Sequence, residues 1–289
     1  MSSTKAEFLM LTVTFWWGAS YLLMKEAMHG MGPFNLMALR FGVAFVVMTV
    51  CFFHRLRHLN REIVLKGLLF GVILYFVFFG MISGTNLTTA SAAAFLTSTA
   101  VILVPVMESV LHRALPSRLT VLSTLTALIG LYFLTVTEGF SMDAGSLFCL
   151  MGAFFYALYI VVVDRVHMGD TVVPVMIIQL GVTSLLGLVT CLLAEDPALP
   201  HGSYEWGAVL ALGFFCSAYG FVVQPIAQRY TTPEKIGLIF SMEPVFGALL
   251  SYLFLNEILT GREYLGIVLI FTAVLGPRLL HLRRVKRNL

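Results

Sequence analysis

Ten apolar runs, each near the roughly 20 residues a helix needs to cross a bilayer, follow one another along a chain of 289 residues. They fall at about 7–25, 33–53, 64–83, 90–112, 118–137, 144–164, 172–193, 206–228, 234–256 and 262–280. The connections between them are short and rich in chain breakers: Gly30-Met31-Gly32-Pro33, Pro116-Ser117, Asp196-Pro197 and Thr231-Thr232-Pro233. None is long enough for a soluble domain. A backbone in lipid must satisfy its N–H and C=O groups internally, and continuous runs of this length do so as helices. Charge is correspondingly scarce. Charged residues make up 11% of the chain and mean hydropathy is +0.92, whereas a soluble domain carries about 25% charged residues. The expected fold is an all-α membrane protein of ten transmembrane helices.

The cations orient it. On this reading the N-terminus, the even-to-odd loops and the tail hold 15 of the 18 Lys and Arg: Lys5, Arg55, Arg57, Arg61, Lys66, Arg113, Arg118, Arg165, Arg229, Lys235, Arg278, Arg283, Arg284, Lys286 and Arg287. The opposite face holds Lys25 and Arg262, and Arg40 lies within the second run. The positive-inside rule then puts both termini in the cytoplasm, which an even number of spans allows. The residues Met1–Glu7 and the run after them suggest no cleavable signal peptide. The expected location is a cytoplasmic membrane, crossed many times.

The two halves echo each other. Met37 and Gly42-Val43 recur as Met176 and Gly181-Val182 at an offset of 139; Glu62, Thr88-Thr89 and Ser98 recur as Glu205, Thr231-Thr232 and Ser241 at 143. The slip between offsets fits a longer connection around Glu195–Glu205. This predicts two five-helix repeats, 1–139 and 140–289, forming one membrane domain. Five is odd, so the second copy enters the bilayer inverted. Inverted repeats are typical of secondary transporters, whose substrate site lies near the midplane where the repeats meet.

One residue stands out against its surroundings. Glu243 is the sole charge in the run Ile236–Leu255, and Pro244 follows it. A carboxylate at mid-bilayer costs about 2.5–3.5 kcal/mol on insertion scales, and a proline inside a helix about 3 kcal/mol. One reading is a packing kink with a protonated or hydrogen-bonded Glu243. The other is a polar site in a membrane cavity, with Pro244 as the hinge.

Several residues carry a family resemblance over essentially the whole chain. They are Phe15-Trp16-Trp17-Gly18-Ala19-Ser20-Tyr21 with Lys25, Leu39-Arg40-Phe41, Ala153-Phe154-Phe155-Tyr156-Ala157-Leu158-Tyr159, Glu243-Pro244-Val245-Phe246, Asn256-Glu257 and Gly266. With them the chain resembles the drug/metabolite transporter superfamily, specifically its ten-helix EamA-type exporters. Within that family its many aromatics are similar to those of the bacterial aromatic amino-acid exporters. The first half departs from the pattern, since Ala100-Val101 stands where the second half has Glu243-Pro244. The resemblance implies a cavity lined by helices 1, 3, 4, 6, 8 and 9.

Candidate substrate contacts are therefore Trp17, Tyr21, Tyr75, Phe78, Phe79, Ser98, Thr99, Phe155, Tyr159, Tyr219 and Met242, with Glu243 as a proton or ammonium site and Pro244 as the helix kink. Trp17 and Tyr21, four apart, share a helix face, while the hydroxylated residues equally suit helix–helix packing. Arg40 suits a structural role near the outer face, and Lys25 and Asp164 suit interface anchors.

The resulting expectation is a secondary exporter of small metabolites, amino acids with aromatic or apolar side chains, working by alternating access. The alternatives are a multidrug or other metabolite exporter of the same superfamily and, from another class, an intramembrane lipid-modifying enzyme. No nucleophile–base pair, Walker A loop or metal-ligand spacing is present in the sequence, so no enzyme chemistry and no cofactor are expected. The four cysteines (Cys51, Cys149, Cys191, Cys216) all lie in apolar runs and read as buried fillers. The expected partners are a small-molecule substrate and the lipid bilayer, with no nucleic acid, and the chain is expected to be a monomer.

Overall fold

The structure, a computed structural model, describes residues 1–289 except 29, 58, 89, 137–141, 256, 257, 288 and 289. All regular secondary structure among the described residues is helical. In chain order the α-helices are α1 (Ser3–Ala27), α2 (Pro33–Cys51), the short α3 (Phe53–Leu56), α4 (Arg61–Leu87), α5 (Ala90–Ser98), α6 (Ala100–His112), α7 (Arg118–Thr135), α8 (Ala144–Arg165), α9 (Val172–Ala194), α10 (Ser203–Ala211), α11 (Gly220–Gln228), α12 (Pro233–Phe240), α13 (Glu243–Leu255) and α14 (Gly261–Arg287). A 3-10 turn covers Gly169–Thr171, and a π-helical segment, Leu212–Tyr219, joins α10 to α11. Eight helical segments among the described residues are long and apolar enough to cross a membrane. Side chains such as Leu193, Val50 and Phe254, 83%, 72% and 71% exposed, coat the outside as lipid-facing surface.

The predicted breakers start the helices. Pro33 and Pro233 occupy first-turn positions, where a missing N–H costs nothing. Asn60, Ser117 and Asp143 cap α4, α7 and α8 by accepting the amides of Ile63, Thr120 and Ser146. Gly32 has no side chain to cap α2, and Glu195 at the end of α9 does so instead, accepting from Phe34 and Asn35 N at 3.0 and 2.8 Å.

The core packs α4 against α8 and α9, α2 against α9, and α7 against α14, while α1 lies on α13. Lipid offers no hydrophobic drive between helices, so small residues must admit close backbone contact. A Cβ on Gly80 would meet the backbone of Gly152 at 2.6 Å, and one on Gly71 would meet Val182 Cβ at 2.6 Å. Thus α4 uses glycines at one end for α8 and at the other for α9.

Several expectations need correction. The runs 90–112 and 234–256 are not continuous helices: the first breaks at Thr99, the second at Ser241-Met242. Pro244 stands just after the second break, and α12 ends at Phe240, four residues before it, whose carbonyl a proline cannot bond. Pro244 is the second residue of α13, so the interior-proline penalty does not arise. Run 206–228 is helical but carries the π segment. Of the cysteines, Cys51 is exposed and the other three are buried.

Candidate functional site

The two helix breaks meet. A cavity of about 30 Å³ is bounded by Thr97, Ser98, Ala100 and Val101 from the first break and by Gly237, Phe240, Ser241 and Glu243 from the second, with Gly152, Ala153, Tyr156 and Ile160 of α8 and Met81 of α4 completing it. That volume holds one water-sized group, so this is a closed arrangement. Both breaks gather hydroxyl side chains. Thr97 and Ser98 bond back to Ala94 O, Thr99 to Leu96 O and Ser241 to Leu238 O. Such back-bonding competes with the helix ladder.

The restarted helices put their N-terminal ends here. Thr99 stands before α6 without a side-chain cap, and Glu243 lies in the first turn of α13, where the macrodipole favours a negative charge. The second break is held against α1 at Gly18, where an added Cβ would lie 2.6 Å from Phe246 Cβ and 2.8 Å from Glu243 O. Glu243 also lies within electrostatic reach of Arg40.

Beside the cavity is an aromatic nest. Tyr156 stacks on Phe240, centroids 5.4 Å apart at 10°, and Trp17 lies against both and against Phe221. Trp17, only 6% exposed, is fixed by its Nε1–H, which donates to Cys216 O at 2.8 Å. That carbonyl belongs to the π segment, as does Ser217, whose hydroxyl accepts from Arg40 Nε at 3.1 Å. π segments recur at functional sites. Here the widened turn receives α1 through Trp17 and α2 through Arg40. Arg40 is 4% exposed, with its guanidinium over the Phe41 and Phe78 rings.

Of the predicted contacts, Ser98 and Glu243 border the cavity and Thr99 forms the turn beside it; Trp17 is in the adjoining nest. Phe78 touches Phe221 of that nest and Phe41, while Tyr75, Phe79 and Phe155 make further ring contacts of their own. Phe155 stacks on Phe76 at 4.9 Å, Phe79 on Phe34 at 5.7 Å, and Tyr75 OH bonds Thr190 Oγ1 at 2.6 Å. Tyr159 is fully buried and donates to Gln179 Oε1 at 2.9 Å, and Tyr219 OH bonds Thr12 Oγ1 at 2.7 Å. Met242 packs into a separate core with Val101, Leu131 and Ile270 of α6, α7 and α14. The side chains of Tyr21 and Lys25, and all of Asn256 and Glu257, lie outside the described residues. Sequence reading omitted Tyr156 and Phe240 from the contacts. The spacing of Tyr156 from Tyr159 signals only a shared face of one helix, whereas the stack depends on α12 ending at Phe240.

A multi-pass helical membrane protein with discontinuous helices meeting at an acidic, aromatic cavity belongs to the class of small-molecule transporters. The profile of the EamA-like transporter family matches this sequence twice, over residues 4–136 and 143–276, and the chain belongs to that family. It is similar to an uncharacterized transporter of Archaeoglobus fulgidus, 28% identical over 264 residues, covering 90% of this chain and 81% of that protein. A solved crystal structure shares the fold, with a TM-score of 0.82 at 21% identity, over 97% of this chain and 98% of that one.

Proposed function

We propose that this EamA-family transporter is a secondary exporter of amino acids with aromatic or apolar side chains. The observation that carries this reading is the pairing of opposite poles in one cavity. Glu243 suits a substrate ammonium, while the uncapped first turn of α6, at Ala100 and Val101, suits a carboxylate through the positive end of the helix dipole. The Tyr156–Phe240 stack and Trp17 beside it suit an aromatic or apolar side chain. A multidrug exporter for lipophilic cations would use Glu243 and the aromatics but has no use for the α6 terminus.

The chain runs through ten spans with both termini in the cytoplasm of the bacterial inner membrane, as two inverted repeats; the paired family match and the cation distribution support this. With about 30 Å³ of space, substrate enters only when α5–α6 and α12–α13 part. The two breaks supply the joints for that movement. Glu243 exchanges a proton, or the substrate ammonium, with each side in turn. The test is counterflow of labelled phenylalanine in proteoliposomes, with phenethylamine and phenylpropionate as competitors. Amino acids should compete better than either half-molecule; equal competition by the amine would favour a cation exporter.

A further inference from the structure

A second cavity, about 900 Å³, lies at the end of the molecule that holds the N-terminus. It is bounded by α1, α6, α7, α12 and α14, and α12 is its wall against the small cavity. Leu238 and Ile239 face the large space, while Gly237, Phe240 and Ser241 face the small one. Its volume is in the range of sites that enclose small organic ligands.

Its charges are unevenly answered. Glu7 accepts from Lys235 Nζ at 3.0 Å and Ser3 Oγ at 2.9 Å, and that pair is neutral. Glu108, whose side chain is 7% exposed, is different. Its Oε2 is 3.1 Å from His112 Nε2 and 3.4 Å from Arg165 Nη2, but its Oε1 is buried with no hydrogen-bond partner. Asp164 lies within electrostatic reach of Glu108, Arg165 and Glu234, so Arg165 is shared between Glu108 and Asp164. A carboxylate has about four lone-pair sites, and a buried acceptor left unmade is costly. The acids here outnumber the cation they share, and one further positively charged N–H donor would complete the corner. The rest of the lining, with Leu11, Leu238 and Val274, suits an apolar body.

We propose that this cavity is a second ligand site, separate from the cavity at the helix breaks, and that it binds primary organic amines with an apolar body, the ammonium pairing with the Glu108 carboxylate. A quaternary ammonium lacks the donor, and an anion meets the wrong charge.

The test is equilibrium binding of tritiated phenethylamine to the purified full chain, with 2-phenylethanol as the uncharged competitor of the same shape. Saturable binding is expected, with the alcohol and the Glu108→Gln variant each weaker by about tenfold or more, the scale of a charge-assisted hydrogen bond. Glu62→Gln, a carboxylate exposed elsewhere on the surface, should bind as the unaltered chain does. Absence of saturable binding, or equal affinity for the alcohol or in Glu108→Gln, would overturn the proposal. A photoreactive azido-phenethylamine on the unaltered chain decides the matter without a variant: label within 108–124 or at Thr232, Glu234, Lys235, Leu238 or Ile239 supports the site, and label confined elsewhere, Gly237 and Phe240 of the small cavity included, refutes it.

Discussion

The first and second helix breaks occupy equivalent places in the two halves and differ in one respect that matters. Ser98 and Ser241 are 143 residues apart; Ser98 is the last residue of the short α5, and Ser241 directly follows the short α12. After the first break come Ala100 and Val101; after the second come Glu243 and Pro244. The break therefore does not need the proline. In the first half Pro105 comes five residues into α6, too late to cause a break at Thr99. What the two junctions share is a hydroxyl bonded back to a carbonyl of its own helix. The paired breaks suit a joint, and the lone carboxylate suits a specialised chemical role in the second half.

The largest effect should come from Gly18, which presses only on the second break. Gly18→Val places carbon where Phe246 Cβ and Glu243 O already stand, an overpacking of about 1–3 kcal/mol. Phenylalanine flux should fall by about tenfold and the melting temperature with it. Unchanged flux would mean that α13 is not held in place through α1.

Ser98→Ala and Ser241→Ala compare the junctions directly. Each removes one back-bond, so each should shift stability by no more than about 1 kcal/mol, measured by thermal unfolding in detergent. Flux should respond more to Ser241→Ala, which adjoins Glu243, than to Ser98→Ala; the reverse order would place the chemistry at the first break. A smaller effect is expected of Pro244→Ala. A proline in the first turn removes no helix bond, so the junction and the flux should both persist, and a large loss would restore proline as the cause of the break.

The smallest effect lies outside the spans. Asp143 caps α8 and is held below its ordinary value of 3.8 by the hydrogen bonds from the Ser146 amide and hydroxyl. A depressed carboxyl contributes its stability above the unfolded value and loses it as pH falls through the folded one. Hydrogen exchange at the Ser146 amide should thus stay protected from neutral pH to about 4 and loosen only below. Loosening between pH 7 and 5 would contradict the cap.

The sequence made the helix limits legible because their start signals are local: Pro33, Ser117 and Pro233 act within one turn of themselves. The acid at Glu243 was legible for the same reason, as one charge in an apolar run. The breaks were not. Hydroxylated residues in apolar runs also occur in unbroken helices, as Thr183 does in α9. The π segment was hidden because its frame depends on Trp17 and Arg40 reaching it from α1 and α2. Met242, read as a substrate contact, packs toward α7 and α14.

The central claim is that Glu243 acts by ionising, and Glu243→Gln tests it with shape and hydrogen bonding kept. Phenylalanine flux in proteoliposomes should be measured across pH for both proteins, alongside their thermal unfolding. The account predicts normal unfolding, flux reduced by at least about tenfold, and a pH profile that flattens because the titrating group is gone. Flux and pH profile equal to those of the unaltered protein would contradict it and leave Glu243 as a structural cap on α13.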